Sequence, residues 1–242
     1  MDIIRLGELQ ESGNPLSPGR QYEGGPITIG DTPAFGGMEF FKLNENMYIS
    51  TQVWLPQITW RQLERQGFIS GVVVKIDGQN YLCRMPYAGV SDGDPNDWDN
   101  LLGKLDERER KIANQQRFFF WGIETAKTRP ESNWDNRVVR GGDDIKARGP
   151  RPVNFSNHRL GFRPVLHRMS TEPELSSILG HNIIAFGPCG TSLAGQLVSV
   201  SDYDVILRPI TAVPGIWSGW SRKSGNEIII EKGKIKYVRK DD

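Results

Sequence analysis

Apolar and polar positions alternate along most of this chain with the period of a strand, and few stretches carry the period of a helix. "DIIRL" predicts a short opening strand, and "MEFFKLNENMYISTQVWLP" predicts strands around an Asn-rich turn. "FISGVVVKIDGQNYLCRMP" predicts a hairpin, turning at the Asp77-Gly78 pair. "RFFFWGIET" returns to strand, whereas the Gly- and Pro-dense segment from 11 to 37 predicts loop with one short strand at "ITI". "TWRQLERQG" reads as a short helix: Thr59 caps it, Gln62 completes a capping box and Gly67 stops it. From Asp97 to about Gln116 a single longer helix is predicted, with Trp98, Leu101, Leu102 and Leu105 on one face and the DERERK run as a solvated face.

Two segments thread arginines through apolar strands. In "WDNRVVRGG", Arg137 and Arg140 sit among Trp134, Val138 and Val139; in "NHRLGFRPVLHRM", Arg159, Arg163 and Arg168 sit among Phe162, Val165 and Leu166. Alternation sends Phe162 into a core while Arg163 faces out or pairs. Such arginines either staple a sheet through ion pairs and carbonyl contacts, or line a cationic groove in which Arg137, Arg140 and Arg159 meet a partner. After Met169 the pattern changes. A polar connector with a helix over Glu172 to Leu179 leads to apolar strands at "NIIAF", "SLAGQLVSV", "DVILRPI", "NEIIIEKG" and "KIKYVRK". This places a boundary near residue 170, dividing the chain into domains 1–169 and 170–242. No internal repeat is visible.

Composition narrows the class without naming a chemistry. The 242 residues are 37% hydrophobic and 24% charged with a net charge of +1, which suits a globular fold and excludes a strongly basic nucleic-acid coat. No basic-then-apolar leader and no long apolar run occurs, so a cytoplasmic location is expected. Cys83 and Cys189 lie apart without a CxxC and are expected as buried free thiols. His158, His167 and His181 stand outside any GxSxG or HExxH pattern and are expected as surface or structural residues. Asp92, Asp94 and Asn96 have the alternate spacing of a calcium loop. Position six, however, is Asp97 rather than Gly, and position twelve is Gly103 rather than Glu. The acidic loop is therefore expected to be a turn and helix cap, with Asp97 and Asp99 at the positive end of the helix. No metal and no cofactor is expected.

Trp60 with Leu63, then Gly67, Ile69, Gly71, "IDGQNYLCR", "NDWDNLLGKL", "RVVRGG" and "LGFRPVL" occur in the order found in a group of bacteriophage and prophage proteins of Gram-positive bacteria, which this chain resembles. "RVVRGG…R…GFRPVL" also looks like the formylglycine-generating-enzyme branch of the C-type-lectin-like fold, over about residues 40 to 168. The copper-binding cysteine pair of those enzymes is missing, since Cys83 stands alone in this region, so the resemblance implies a recognition frame without that activity. The calcium-lectin "WND" occurs only reordered, as "WDN" at 98–100 and 134–136.

The tail is similar to the Sm-like small five-stranded barrel, and an SH3-like barrel would look nearly the same. Gly195 in an apolar strand permits the bend such a barrel needs. In Sm-like proteins the loop matching "DYD" stacks a base, which implies a stacking role for Tyr203. Asp202 and Asp204 oppose phosphate there, and Lys232, Lys234 and Lys236 offset them. Trp217 and Trp220, in the loop "PGIWSGWSRKSG", are expected as a contact surface or as packing onto the first domain.

The expected class is α+β and strand-rich: a C-type-lectin-like domain followed by a small five-stranded β-barrel. The expected function is that of a non-enzymatic phage-type binding protein. Its lectin-like domain would recognise a host protein, such as a defence component, or a virion or receptor component. The barrel would assemble copies into a homo-oligomer, with "EIIIEK" and "KIKYVR" at one edge and "DVILRP" at the other. The candidate partner-binding residues are Arg137, Arg140, Arg159, Trp217 and Trp220. The alternatives are an RNA-binding regulator using Tyr203, Lys232 and Lys234, and a metal-assisted enzyme using Asp92, Asp94 or Asp99.

Overall fold

The alternating segments form short strands whose two faces go to different cores. The computed structural model describes residues 1–126, 135–169, 172–187, 192–209, 219–235 and 237–240. In chain order these contain strands β1 (Ile3–Arg5), β2 (Glu8–Glu11), β3 (Asn14–Pro15), β4 (Ile27–Gly30), β5 (Glu39–Asn44) and β6 (Met47–Ser50), then helix α1 (Trp60–Arg65). The hairpin β7 (Val72–Ile76) and β8 (Gln79–Arg84) precedes helices α2 (Asp97–Lys104) and α3 (Glu107–Ala113). There follow β9 (Phe119–Thr125), β10 (Asn136–Gly141), β11 (Arg148–Pro152), β12 (Leu160–Gly161) and β13 (Val165–Arg168). Helix α4 (Glu172–Ser177) leads to β14 (Asn182–Phe186), β15 (Ser192–Val200), β16 (Asp204–Arg208), β17 (Ser221–Ser224), β18 (Glu227–Glu231) and β19 (Tyr237–Lys240). The chain is strand-rich with few helices, as expected of an α+β protein, and divides into two units, Met1–His167 and Arg168–Asp242.

Three sheets build the first unit: β1-β5-β6-β13-β8-β7, β11-β10-β9-β12 and β3-β2-β4. Phe40 and Phe41 are adjacent on β5 and point opposite ways, yet both are fully buried. Phe40 joins a core with Trp54, Trp60, Phe68, Trp121 and Phe162. Phe41 joins another with Trp98, Leu101, Phe120 and Val165. A sheet covered on both faces explains why β6 is buried at every position.

Local signals set the ends of the elements. Thr59 caps α1 and Gln62 returns the bond, as predicted, and Gly67 takes the left-handed φ of +85° that ends the helix. The helix predicted from Asp97 to Gln116 is instead two. Leu105 leaves the helical conformation, and Asp106 caps α3 in its own capping box with Glu109. The DERERK run is thus a helix start as well as the solvated face expected of it: Asp106, Glu107, Arg108 and Lys111 are exposed, and Glu109 is buried. Strand β3 forms where loop was predicted, and β2, which ends where that segment begins, pairs Leu9 to Ile29 of β4.

The second unit is one six-stranded sheet in the order β17-β18-β16-β15-β14-β19. The expected five-stranded barrel is replaced by this open order: no ladder joins β17 to β19 among the described residues. The edges are also corrected. β16 lies inside the sheet, paired with both β15 and β18, so "DVILRP" supplies no edge. Gly195 sits where a Cβ would meet the Arg208 carbonyl oxygen at 2.7 Å, which allows β15 and β16 to approach closely before the register shift at Leu197/Ser199. Trp220 is buried with Leu197, Val205, Leu207 and Ile228. It is a core residue of this sheet and offers no contact surface; Trp217 and Cys189 lie outside the described residues.

The deepest feature of the first unit is a buried arginine. Of the two places that alternation left open for Arg163, facing out or pairing, the structure takes the second, and Arg163 is 3% exposed. Its Nη1 donates to the carbonyls of Ser50 (2.9 Å) and Thr51 (3.2 Å), and its Nη2 donates to Ala113 (2.9 Å). The guanidinium lies 4.6 Å from the Trp98 ring centroid and 5.0 Å from that of Phe120. Burial pushes its pKa down to about 9, so it stays charged at neutral pH.

Replacing Arg163 by Met removes the donor and leaves three carbonyls short of a partner, each costing about 1–3 kcal/mol. We predict that Arg163→Met lowers stability by about 4 kcal/mol. Arg163→Lys should recover little of it, because one ammonium lacks the planar fork. Denaturant unfolding followed by tryptophan fluorescence, to which the adjacent Trp98 contributes, measures both.

Candidate functional site

The sheet β11-β10-β9-β12 carries arginines on both of its faces. In the antiparallel β10–β11 ladder, Arg137 pairs with Arg151 and Arg140 with Arg148. The alternation of strand side chains sends the two pairs to opposite sides.

On one side the arginines lie on aromatic rings. Arg137 stacks over Trp60 at 4.2 Å and pairs with Asp135. Arg151 lies 5.6 Å from Phe155 and bonds only the Pro150 carbonyl among the described residues. Arg159 lies 5.9 Å from Phe119, donates to the Arg117 carbonyl (2.7 Å) and reaches Asp143 (2.8 Å). Arg151 and Arg159 line an open hollow of about 280 Å³ with Phe119, Val139, Phe155 and His158. Of the expected partner-binding residues, Arg137 and Arg159 are on this arginine–aromatic side. Arg151 was missed, because "RGPRP" contains two prolines and no apolar alternation.

On the other side Arg140 is 1% exposed, which corrects its expected place on a partner-facing surface. Asp99 of α2 bonds Arg140 and also lies 3.5 Å from Nη2 of Arg148. Two guanidinium groups opposite one another across a ladder repel, and the shared carboxylate offsets that repulsion. Burial pushes the Arg140 pKa down; Asp99 works against this and the neighbouring Arg148 adds to it. Asn96 orients Asp99, donating from Nδ2 to its Oδ2 (2.8 Å) and accepting from its backbone N–H (2.8 Å) as the helix cap.

The acidic loop is committed to such contacts. Asp94 accepts from the backbone N–H groups of Val90 and Ser91, at 3.1 and 2.7 Å. Asp97 accepts from Arg84 (2.7 Å) and from the backbone of Tyr87 (2.8 Å). Among the described residues no group of three His, Cys, Asp or Glu side chains is gathered to hold a metal ion. His167 is buried with its Nε2 2.7 Å from Nη2 of Arg84. Arginine only donates, so Nε2 accepts and the imidazole proton sits on Nδ1. Cys83 is a buried free thiol whose pKa burial pushes well above the usual range.

In the second unit Tyr203 is 79% exposed. The Lys232 backbone N–H donates to the Tyr203 carbonyl (2.7 Å), and Lys232 Nζ donates to the Ser201 carbonyl (3.0 Å). Lys234 is turned away to the Gly219 carbonyl and to Glu231. The structure therefore brings Tyr203 and Lys232 together and leaves Lys234 apart. Among the described residues no helix is long and apolar enough to cross a membrane.

Comparison of the chain with protein-family models, curated proteins and solved structures finds no match.

Asp99→Asn keeps the shape of the clamp and removes its charge. We predict a loss of about 2 kcal/mol, below the 3–5 kcal/mol of a fully buried pair because Asp99 is 42% exposed. Asp99→Asn combined with Arg148→Gln should lose less than the sum of the single changes, and a double-mutant cycle by denaturant unfolding measures the coupling.

Proposed function

We propose that this chain is a non-enzymatic binding protein of the phage type, whose first unit holds a protein partner with an acidic surface through the arginine–aromatic side of β9–β12. The observation that carries the reading is the laying of Arg137, Arg151 and Arg159 on Trp60, Phe155 and Phe119, two of the three arginines lining one open hollow. Arginine and aromatic groups dominate the energetics of protein interfaces. A guanidinium held flat against a ring presents its planar fork at little further cost in side-chain freedom. The resemblance of "RVVRGG" and "LGFRPVL" to phage proteins supports a host protein, such as a defence component, or a virion or receptor component as the partner. The second unit then makes a further contact or assembles copies.

The test is capture from host lysate by the immobilised full chain, beside Arg151→Glu/Arg159→Glu of unchanged circular dichroism. We expect a partner retained by the native chain and lost, by at least tenfold, from the double variant. Equal capture by both overturns the reading, as does a steady-state turnover abolished by one substitution.

One observation favours a second reading, an RNA-binding role for the second unit: the exposed Tyr203 lies against Lys232. A base stacked on a tyrosine contributes about 1–3 kcal/mol. Tyr203→Ala should then weaken oligo-U retention in filter binding at ~50 mM salt by tenfold or more, where phosphate contacts are strongest. No retention by the native chain under those conditions removes this reading.

A further inference from the structure

Beneath the α2–α3 corner, on the side of β10 and β11 away from the arginine–aromatic hollow, lies a second open hollow of about 340 Å³. Arg140 and Arg148 form its floor, Arg110 of α3 and Lys146 stand at its walls, and Asp92 and Asp99 supply its acids. Four cations against two carboxylates leave an excess of two positive charges. Three of the cations also hold unused donors. Among the described residues the buried Nε and Nη1 of Arg140 and the Nε groups of Arg110 and Arg148 have no hydrogen-bond partner. Unmade hydrogen bonds on a nearly fully buried guanidinium are costly, each worth about 1–3 kcal/mol. Those atoms are closed to water as they stand, so a ligand recovers that loss only where a way to them is opened.

We propose that this hollow is a binding site for a phosphoryl group, as free phosphate or as a small phosphomonoester. A dianion matches the double excess of charge, which a carboxylate matches only by half. Its tetrahedral oxygens accept from several forks at once, the geometry in which arginine and phosphate bond most strongly. The place is held by Asp92. Its carboxylate is fully exposed on the Asp92-Gly93 loop and bonds Arg148 Nη1 at 3.2 Å. Such an exposed pair contributes little and gives way readily. When it swings out, the floor of the hollow opens to the ligand, while Asp99 keeps Arg140 and Arg148 aligned from the helix side. The proposal is independent of partner binding on the opposite face.

The experiment is calorimetric titration of the full chain with inorganic phosphate and, separately, O-phosphoserine, at constant ionic strength set by sodium chloride. The native chain should bind saturably. Arg148→Gln should weaken binding about tenfold or more and the exposed Lys146→Gln about threefold, the scale of lost charge-assisted bonds. Asp92→Asn should tighten it about threefold, because the competing carboxylate is gone. Tighter binding of O-phosphoserine than of phosphate assigns the site to an ester, and equal binding assigns it to the free ion. Should Arg148→Gln fail to fold, the opposite signs of Lys146→Gln and Asp92→Asn decide. No saturable binding of either probe to the native chain overturns the proposal, as does binding unchanged by Lys146→Gln and Asp92→Asn.

Discussion

The buried charge of Arg163 constrains the first unit more than any apolar contact does. A guanidinium taken out of water must be resolvated by the protein, at a penalty of several kcal/mol if that fails. Here the compensation comes from three places: the carbonyls after β6, the last carbonyl of α3 and the rings of Trp98 and Phe120. Apolar side chains tolerate small slips between elements, but a planar fork with fixed donor directions does not. Satisfying it fixes the end of α3 and the Trp98 face of α2 against β6 and β9. That placement sets the position of Asp99, one residue beyond Trp98, over the Arg140–Arg148 pair.

The two arginine sides of β10 and β11 follow from one strand rule applied twice. The register matches Arg137 to Arg151 and Arg140 to Arg148, so like charges face each other on both sides of one ladder. Each side relieves the repulsion differently. On the outer side Arg137 is neutralised by Asp135 and stacked on Trp60, leaving Arg151 free to spread its charge over Phe155 and into solvent. On the buried side no ring among the described residues lies over Arg140 or Arg148, and a single carboxylate from α2 serves both. That difference explains why one side is an aromatic platform and the other a cationic hollow with unmet donors.

What was legible in the sequence was local. The Thr59–Gln62 box and the Asp77-Gly78 turn are written in adjacent residues and formed as read. The break between α2 and α3 was written just as locally, in Asp106 and Glu109. It was masked because Leu105 continued the apolar period and the charges around Asp106 resembled a solvated face. Strand β11, "RGPRP", has no apolar member to alternate, so only its pairing with β10 makes it a strand. Arg163 was legible only as a choice between facing out and pairing, for another reason. Alternation gives the side of a strand but not what covers it, and the groups that bury Arg163 come from β6, α2, α3 and β9. The edges of the second sheet failed similarly, since β17, "SRKS", gains its strand character from β18 alone.

A net charge of +1 fits this distribution of arginines. Recognition by long-range steering needs a large field of one sign, and a nearly neutral chain has none beyond a Debye length of about 8 Å at physiological salt. The first unit instead keeps acids beside its arginines, Asp135 and Asp143 on one side and Asp92 and Asp99 on the other. A ligand on either side would therefore meet a guanidinium already aligned by a carboxylate or a ring, and would compete with that carboxylate only at contact. Selectivity in such a site comes from the number and direction of N–H groups a ligand can satisfy at once. Among anions of equal charge, the direction of their acceptor oxygens would then decide which one binds.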